Sequence, residues 1–140
     1  MTSAFLMRLE AKAFETMHSP VLITDALGDD MPTVYANPAF EQLTGYFLSE
    51  IIGRNCRFLQ GADRDQPAIP RIRRALAEKR SIRAVLRNYR KNGEPFINEL
   101  FIDPIFDETG RVTHFVGCQN LTADAEMIAT YNDAMAFLDC

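Results

Sequence analysis

Three long runs dominate the second half of the chain: Ile82 to Arg90, Pro95 to Phe106 and Val112 to Gln119. Only Lys91-Asn92-Gly93-Glu94 and Asp107-Glu108-Thr109-Gly110 separate them. Asn-Gly is the strongest short hairpin signal, because both residues accept the positive φ that a tight turn demands. The runs therefore predict an antiparallel meander. Side chains alternate across a strand, so each face can be read separately. One face carries Ile82, Ala84, Leu86 and Asn88; the next strand adds Phe96, Asn98, Leu100 and Ile102; the last adds Thr113, Phe115, Gly117 and Gln119. Each set is mainly apolar and holds one carboxamide. A buried amide left unpaired costs about 1–3 kcal/mol. Asn88, Asn98 and Gln119 must therefore pair with each other and the backbone, or with a ligand. An amide offers donor and acceptor together, which suits the alternating edge of a pyrimidine-like ring. Gly117 leaves room for a flat ring against the sheet. The opposite faces, with Ile97, Phe101, Val116 and Cys118, are also apolar, so the sheet needs cover on both sides.

The first half supplies shorter elements. Pro20 to Asp25 and Thr33 to Ala36 read as short strands around a turn-rich Gly28-Asp29-Asp30-Met31-Pro32. Asn37-Pro38 is a helix start, with a side-chain cap followed by a residue whose missing N–H is no loss. That helix stops near Gly45; a second starts at Ser49-Glu50 and stops at Gly53; a third runs from Pro67 to Glu78 with Ile69, Ile72 and Leu76 on one stripe. At the ends, Leu6, Leu9, Ala13 and Met17, and then Met127, Tyr131, Ala134 and Leu138, recur at helical spacing. The organisation expected is α+β: a flanking helix in 1–19, a core in 20–120 and an amphipathic helix in 121–140. Neither terminal helix stands alone in water, so each docks on the core, a partner subunit, or both.

Composition narrows the function. A chain of 140 residues, 47% hydrophobic and 24% charged, fits one folded domain. Its net charge of −4 argues against a nucleic-acid binder. Arg8, Glu10, Lys12 and Glu15 interrupt the N-terminal stretch, which is neither a signal h-region nor a membrane span. Cys56, Cys118 and Cys140 are odd in number and lack C-x-x-C spacing, so a reducing compartment is expected and the protein is read as cytoplasmic.

The densest cluster of chemistry is Gly53-Arg54-Asn55-Cys56-Arg57-Phe58-Leu59-Gln60-Gly61. It sets a thiol between a carboxamide and a guanidinium, beside apolar Phe58 and Leu59. This run resembles the hallmark motif of LOV domains, the flavin-binding blue-light sensors of the PAS superfamily. The resemblance extends over Pro20 to Asn120 through Ile23-Thr24-Asp25, Tyr35-Ala36-Asn37, Leu43-Thr44-Gly45-Tyr46, Asn88-Tyr89, Phe96 with Asn98, and Phe115-Val116-Gly117 with Gln119.

The resemblance implies a PAS/LOV fold, a five-stranded antiparallel sheet with helices on one face and terminal flanking helices. It implies flavin mononucleotide (FMN) as cofactor. Arg57 and Arg73 match positions that hold the phosphate, planar cationic donors suited to it. Asn55 and Gln60 match positions along the ribityl chain, and Asn88, Asn98 and Gln119 match ring contacts. Leu22, Thr24, Leu59, Ile69, Ile72, Leu76, Leu100, Ile102 and Phe115 would line the ring, with Gly117 beneath it. On illumination Cys56 would form a reversible cysteinyl-flavin C4a adduct. Gln119 would answer by rotating its amide on the last strand, which leads to the C-terminal helix. This describes a photoreceptor switch, not an enzyme, signalling through terminal helices or a homodimer interface to a downstream protein. Two residues depart from the family pattern: Ile97 stands where many members carry Trp, and Pro20 where plant phototropins carry Asn.

Rival readings are weaker. A PAS redox or ligand sensor without adduct photochemistry is the alternative. A thiol enzyme needs a base beside Cys56, and His18 and His114 lie far away in sequence. Neither His has a second ligand at metal spacing. The basic cluster from Arg71 to Lys91 reads as a solvated face in which Arg73 alone meets phosphate.

Overall fold

The structure is a computed structural model that describes residues 18–122. The two predicted terminal helices lie outside the described residues. Within them the chain forms β1 (Val21–Asp25), β2 (Thr33–Ala36), α1 (Pro38–Thr44), α2 (Leu48–Ile51), a 3-10 turn (Cys56–Gln60), α3 (Ala68–Ala77), β3 (Ile82–Tyr89), β4 (Pro95–Phe106) and β5 (Val112–Thr122). The five strands form one antiparallel sheet in the order β2-β1-β5-β4-β3. Among the described residues β5 is thus the central strand, and β3 is an edge.

Local chemistry explains the short elements. Asn37 is fully buried, and its Oδ1 accepts from Phe40 N at 3.0 Å and from Val21 N at 2.8 Å. One side chain therefore caps α1 and pins the start of β1. Gly45 ends α1 with φ of 79°. The predicted Ser49 start of α2 is corrected: the helix begins at Leu48, whose N–H donates to Glu41 Oε2 at 2.8 Å. The cap comes from the preceding helix, a contact that local sequence does not encode.

The alternation read from sequence sets the inner face of the sheet. Ala84, Leu86, Asn88, Phe96, Asn98, Ile102, Phe115 and Gln119 are all buried. The apolar core divides into three groups on this side. Leu22, Ala36, Phe40, Ile51 and Leu59 pack beneath α1 and α2; Ala68, Ala84 and Leu86 join α3 to β3; Ile102, Val112 and Phe115 close the other end. A cavity lies between these groups. The outer face is less uniformly apolar than predicted. Glu99 is 8% exposed there, pairs with Arg83, and accepts from Asn120 Nδ2 at 3.2 Å. Phe101, on the same face, remains 37% exposed.

Candidate functional site

The cavity has a volume of about 470 Å³ and is lined by the inner sheet face, the 3-10 turn and α3. The turn is built so that its side chains diverge. Asn55 caps it, accepting from Arg57 N at 2.9 Å. Cys56, Arg57, Leu59 and Gln60 face the cavity, together with Asn55. Phe58 leaves on the other side, meeting Tyr46 edge-on with centroids 4.9 Å apart and lying 4.8 Å beneath the Arg54 guanidinium. This aromatic anchor fixes the turn and hence the thiol.

Two chemically distinct ends follow. At the mouth, Arg57 forms a two-pronged ion pair with Asp30, one arm 2.8 Å long. Asn55 Nδ2 also reaches the Asp30 carbonyl, at 2.7 Å. Arg57 holds the Asp30 carboxyl below its ordinary value. Arg73 is the second cation lining the cavity and makes no ion pair among the described residues. At the far end stands a chain of amides. Asn98 Nδ2 donates to Asn88 Oδ1 and to Gln119 Oε1, each at 2.9 Å. Gln119 Nε2 donates to the Gly117 carbonyl at 2.9 Å, and Asn88 Nδ2 to the Arg87 carbonyl at 3.1 Å. Both Asn88 and Gln119 retain a second N–H and further acceptor capacity.

Between the ends the walls are apolar: Leu22, Leu59, Ile69, Ile72, Leu76, Leu100, Ile102 and Phe115, with Thr24 among them. The Cys56 thiol, half-buried, is pushed above its ordinary value by desolvation. It is therefore a neutral S–H at neutral pH. Gly117 is informative. A Cβ placed there would approach no protein atom closer than 3.6 Å, so the protein's own packing does not require glycine. The open space beside it belongs to the cavity.

Of the residues predicted from sequence, all but one line this cavity. Asn98 sits fully buried on β4 behind the wall, bridging the amides of Asn88 and Gln119 that line it. Asp30, Met31, Ala77 and Leu86 line it without having been predicted. Leu86 shares the alternating face of Asn88 and Ala77 follows Arg73 by one helical turn, so both carried a periodic signal. Asp30 and Met31 carried none, because the loop reaches the mouth with both residues at positive φ, 60° and 47°. Among the described residues no cluster of three or more His, Cys, Asp or Glu could hold a metal, and no helix is long and apolar enough to cross a membrane.

Comparison with known proteins agrees with this geometry. A PAS domain model matches residues 19–123. A LOV domain from the Erythrobacter litoralis EL346 blue-light activated histidine kinase superposes with a TM-score of 0.72 at 39% identity, covering 77% of this chain and 99% of that one. The chain belongs to the LOV family of PAS domains. Longer relatives contain a similar segment. A blue-light photoreceptor of Listeria innocua is 44% identical over 108 residues, 77% of this chain and 42% of the relative. A blue-light-activated histidine kinase of Rhizobium johnstonii is 43% identical over 117 residues, 84% of this chain and 34% of the relative. The chain thus spans less than half the length of these two relatives.

Proposed function

We propose that this LOV domain is a blue-light sensor that holds FMN in the cavity and uses Cys56 as its photochemical nucleophile. The observation that carries the reading is a neutral thiol on the wall of an apolar cavity that ends in paired amides. The fit is chemical as well as spatial. Asn88 and Gln119 offer the donor and acceptor pattern of a flavin's polar edge, Gly117 leaves space for the ring, and the cavity-lining guanidinium groups of Arg57 and Arg73 suit a phosphate.

Flavin, when bound, supplies the blue absorption and an electrophilic ring carbon. Cys56, on the cavity wall, would be the residue that offers its sulfur to that carbon and its S–H proton to the neighbouring ring nitrogen, and that recovers both in darkness. The thiol must be protonated at the outset to do both, which its raised pKa supports. Apolar Leu22, Ile69 and Ile72 keep water from the proton. Gln119, which lines the cavity, would answer a ligand group that changes from acceptor to donor by rotating its amide. Its neighbour Asn98 accepts the Asn120 backbone N–H at 3.3 Å, so rearranged amides act directly on the backbone of β5. The cycle has no net turnover, and the described residues act as a switch rather than as an enzyme.

Output runs from β5 to the outer sheet face, where Phe101, opposite Cys118, stays exposed and suits a homodimer or a downstream signalling protein. A cytoplasmic setting suits three cysteines without pairing motifs. The test is the absorption spectrum of the purified 140-residue chain before and after a blue pulse. A blue band that bleaches and returns in darkness supports the sensor; a flavin band that never bleaches defeats it.

A further inference from the structure

Among the described residues β3 is an edge of the sheet, and the backbone groups on its free side have no neighbouring strand. At Arg87 one side chain takes both. Gln66, only 4% exposed, accepts the Arg87 N–H at Oε1 (2.8 Å) and donates from Nε2 to the Arg87 carbonyl (3.0 Å). Its amide completes the edge as the peptide of another strand would. The same Nε2 donates to the Asp63 carbonyl at 2.7 Å. The Asp63 carboxylate in turn accepts from Arg87 Nε at 2.7 Å, Arg87 Nη2 at 2.9 Å and the Tyr89 hydroxyl at 2.7 Å. Residues 87 and 89 are therefore held from outside the sheet by the loop between the 3-10 turn and α3. Between them stands Asn88, whose side chain leaves on the other face and lines the cavity. Its Nδ2 shares the Arg87 carbonyl with Gln66, at 3.1 Å.

We infer that Gln66, braced by Asp63, is a positioning residue that sets how the Asn88 amide is presented to a ligand in the cavity. A carbonyl oxygen has two lone pairs, and at Arg87 Gln66 fills one of them. Without Gln66 that oxygen becomes a stronger acceptor, and it draws the Asn88 amide towards the backbone and away from the ligand. The clamp also joins β3 to the loop that follows the Cys56 turn, so the thiol and the amide are held in one frame. Arg87, and after it Tyr89, hold the Asp63 carboxyl down at about 2, so the brace stays charged at neutral pH. The inference rests on the flavin reading only for the identity of the ligand.

The test uses the full chain with Gln66→Leu, which removes both bonds to Arg87, and Gln66→Glu, which keeps the acceptor and loses the donor. The Asn88 side-chain amide resonances are recorded by NMR in the apoprotein. Riboflavin is then titrated by fluorescence quenching, because it lacks the phosphate that Arg57 and Arg73 would grip. The expected result is displaced Asn88 resonances in both variants and a riboflavin Kd about tenfold higher for Gln66→Leu. Unmoved resonances with a Kd within about twofold of the parent, in a folded variant, overturn the inference. If neither variant folds, hydrogen exchange in the unmutated chain decides. Protection of the Arg87 amide upholds the clamp, and exchange at the rate of a free edge N–H removes it. A chain that binds no riboflavin defeats the flavin reading instead, and the resonances and exchange still judge the clamp.

Discussion

At the scale of single residues, Gly117 separates what the fold needs from what a ligand needs. Its φ is not in the left-handed region, and an added Cβ meets protein atoms only at ordinary contact distance. Replacing Gly by Ala at such a position stabilises by about 0.4–1 kcal/mol through the unfolded chain. Gly117→Ala is therefore predicted to leave apoprotein stability unchanged or slightly raised in a urea melt, while flavin affinity falls several-fold. A destabilised apoprotein with unchanged flavin affinity would place the constraint in the fold instead. The residue scale is also where sequence was most legible. Asn88 and Gln119 were readable because amides on apolar strand faces are costly unless paired, and Cys56 because of the motif around it. Asn98 was placed correctly on its face, and in the structure it joins the amides of Asn88 and Gln119. Alternation fixes which way a side chain points, but not which of three adjacent amides stands in front.

At the scale of elements, the meander and α3 followed from periodicity, because period two and period three-to-four survive any tertiary context. The α2 start and the Asp30-Met31 contact were not legible, since each depends on a partner distant in sequence: Glu41 for one and Arg57 for the other. The clamp on β3 has the same character. Its pH dependence is a direct check. Asp63 sits at about 2, below its ordinary 3.8, because Arg87 and then Tyr89 bond its charged form. A depressed carboxylate stabilises fully above its ordinary value, and that contribution fades as pH falls through the folded value. The stability difference between the parent and Asp63→Asn is thus predicted to shrink from pH 5 towards pH 2, as read by denaturant midpoints. A difference that holds constant across that range would mean that the carboxylate's charge does not brace the loop.

At the scale of the whole molecule, one sheet serves two surfaces. The inner face holds the cavity, and the outer face carries Phe101 on β4, the strand that also bears Asn98. Self-association through this face predicts a dimer by sedimentation at micromolar concentration that Phe101→Asp shifts towards monomer; a parent chain that is monomeric throughout would remove the homodimer. Gln119→Leu is predicted to preserve the blue-light bleach while weakening any light-dependent change in hydrogen exchange along β5. An undiminished change would route the signal elsewhere. The terminal helices expected from sequence lie outside the described residues, so this scale was read from two apolar sheet faces alone. The central claim, that Cys56 is the photochemical nucleophile, is tested most directly by recording the blue-light difference spectrum of Cys56→Ala beside the parent. The prediction is that the variant still binds flavin with an intact dark spectrum but no longer shows the reversible loss of blue absorbance. A variant that bleaches and recovers as the parent does would contradict the account.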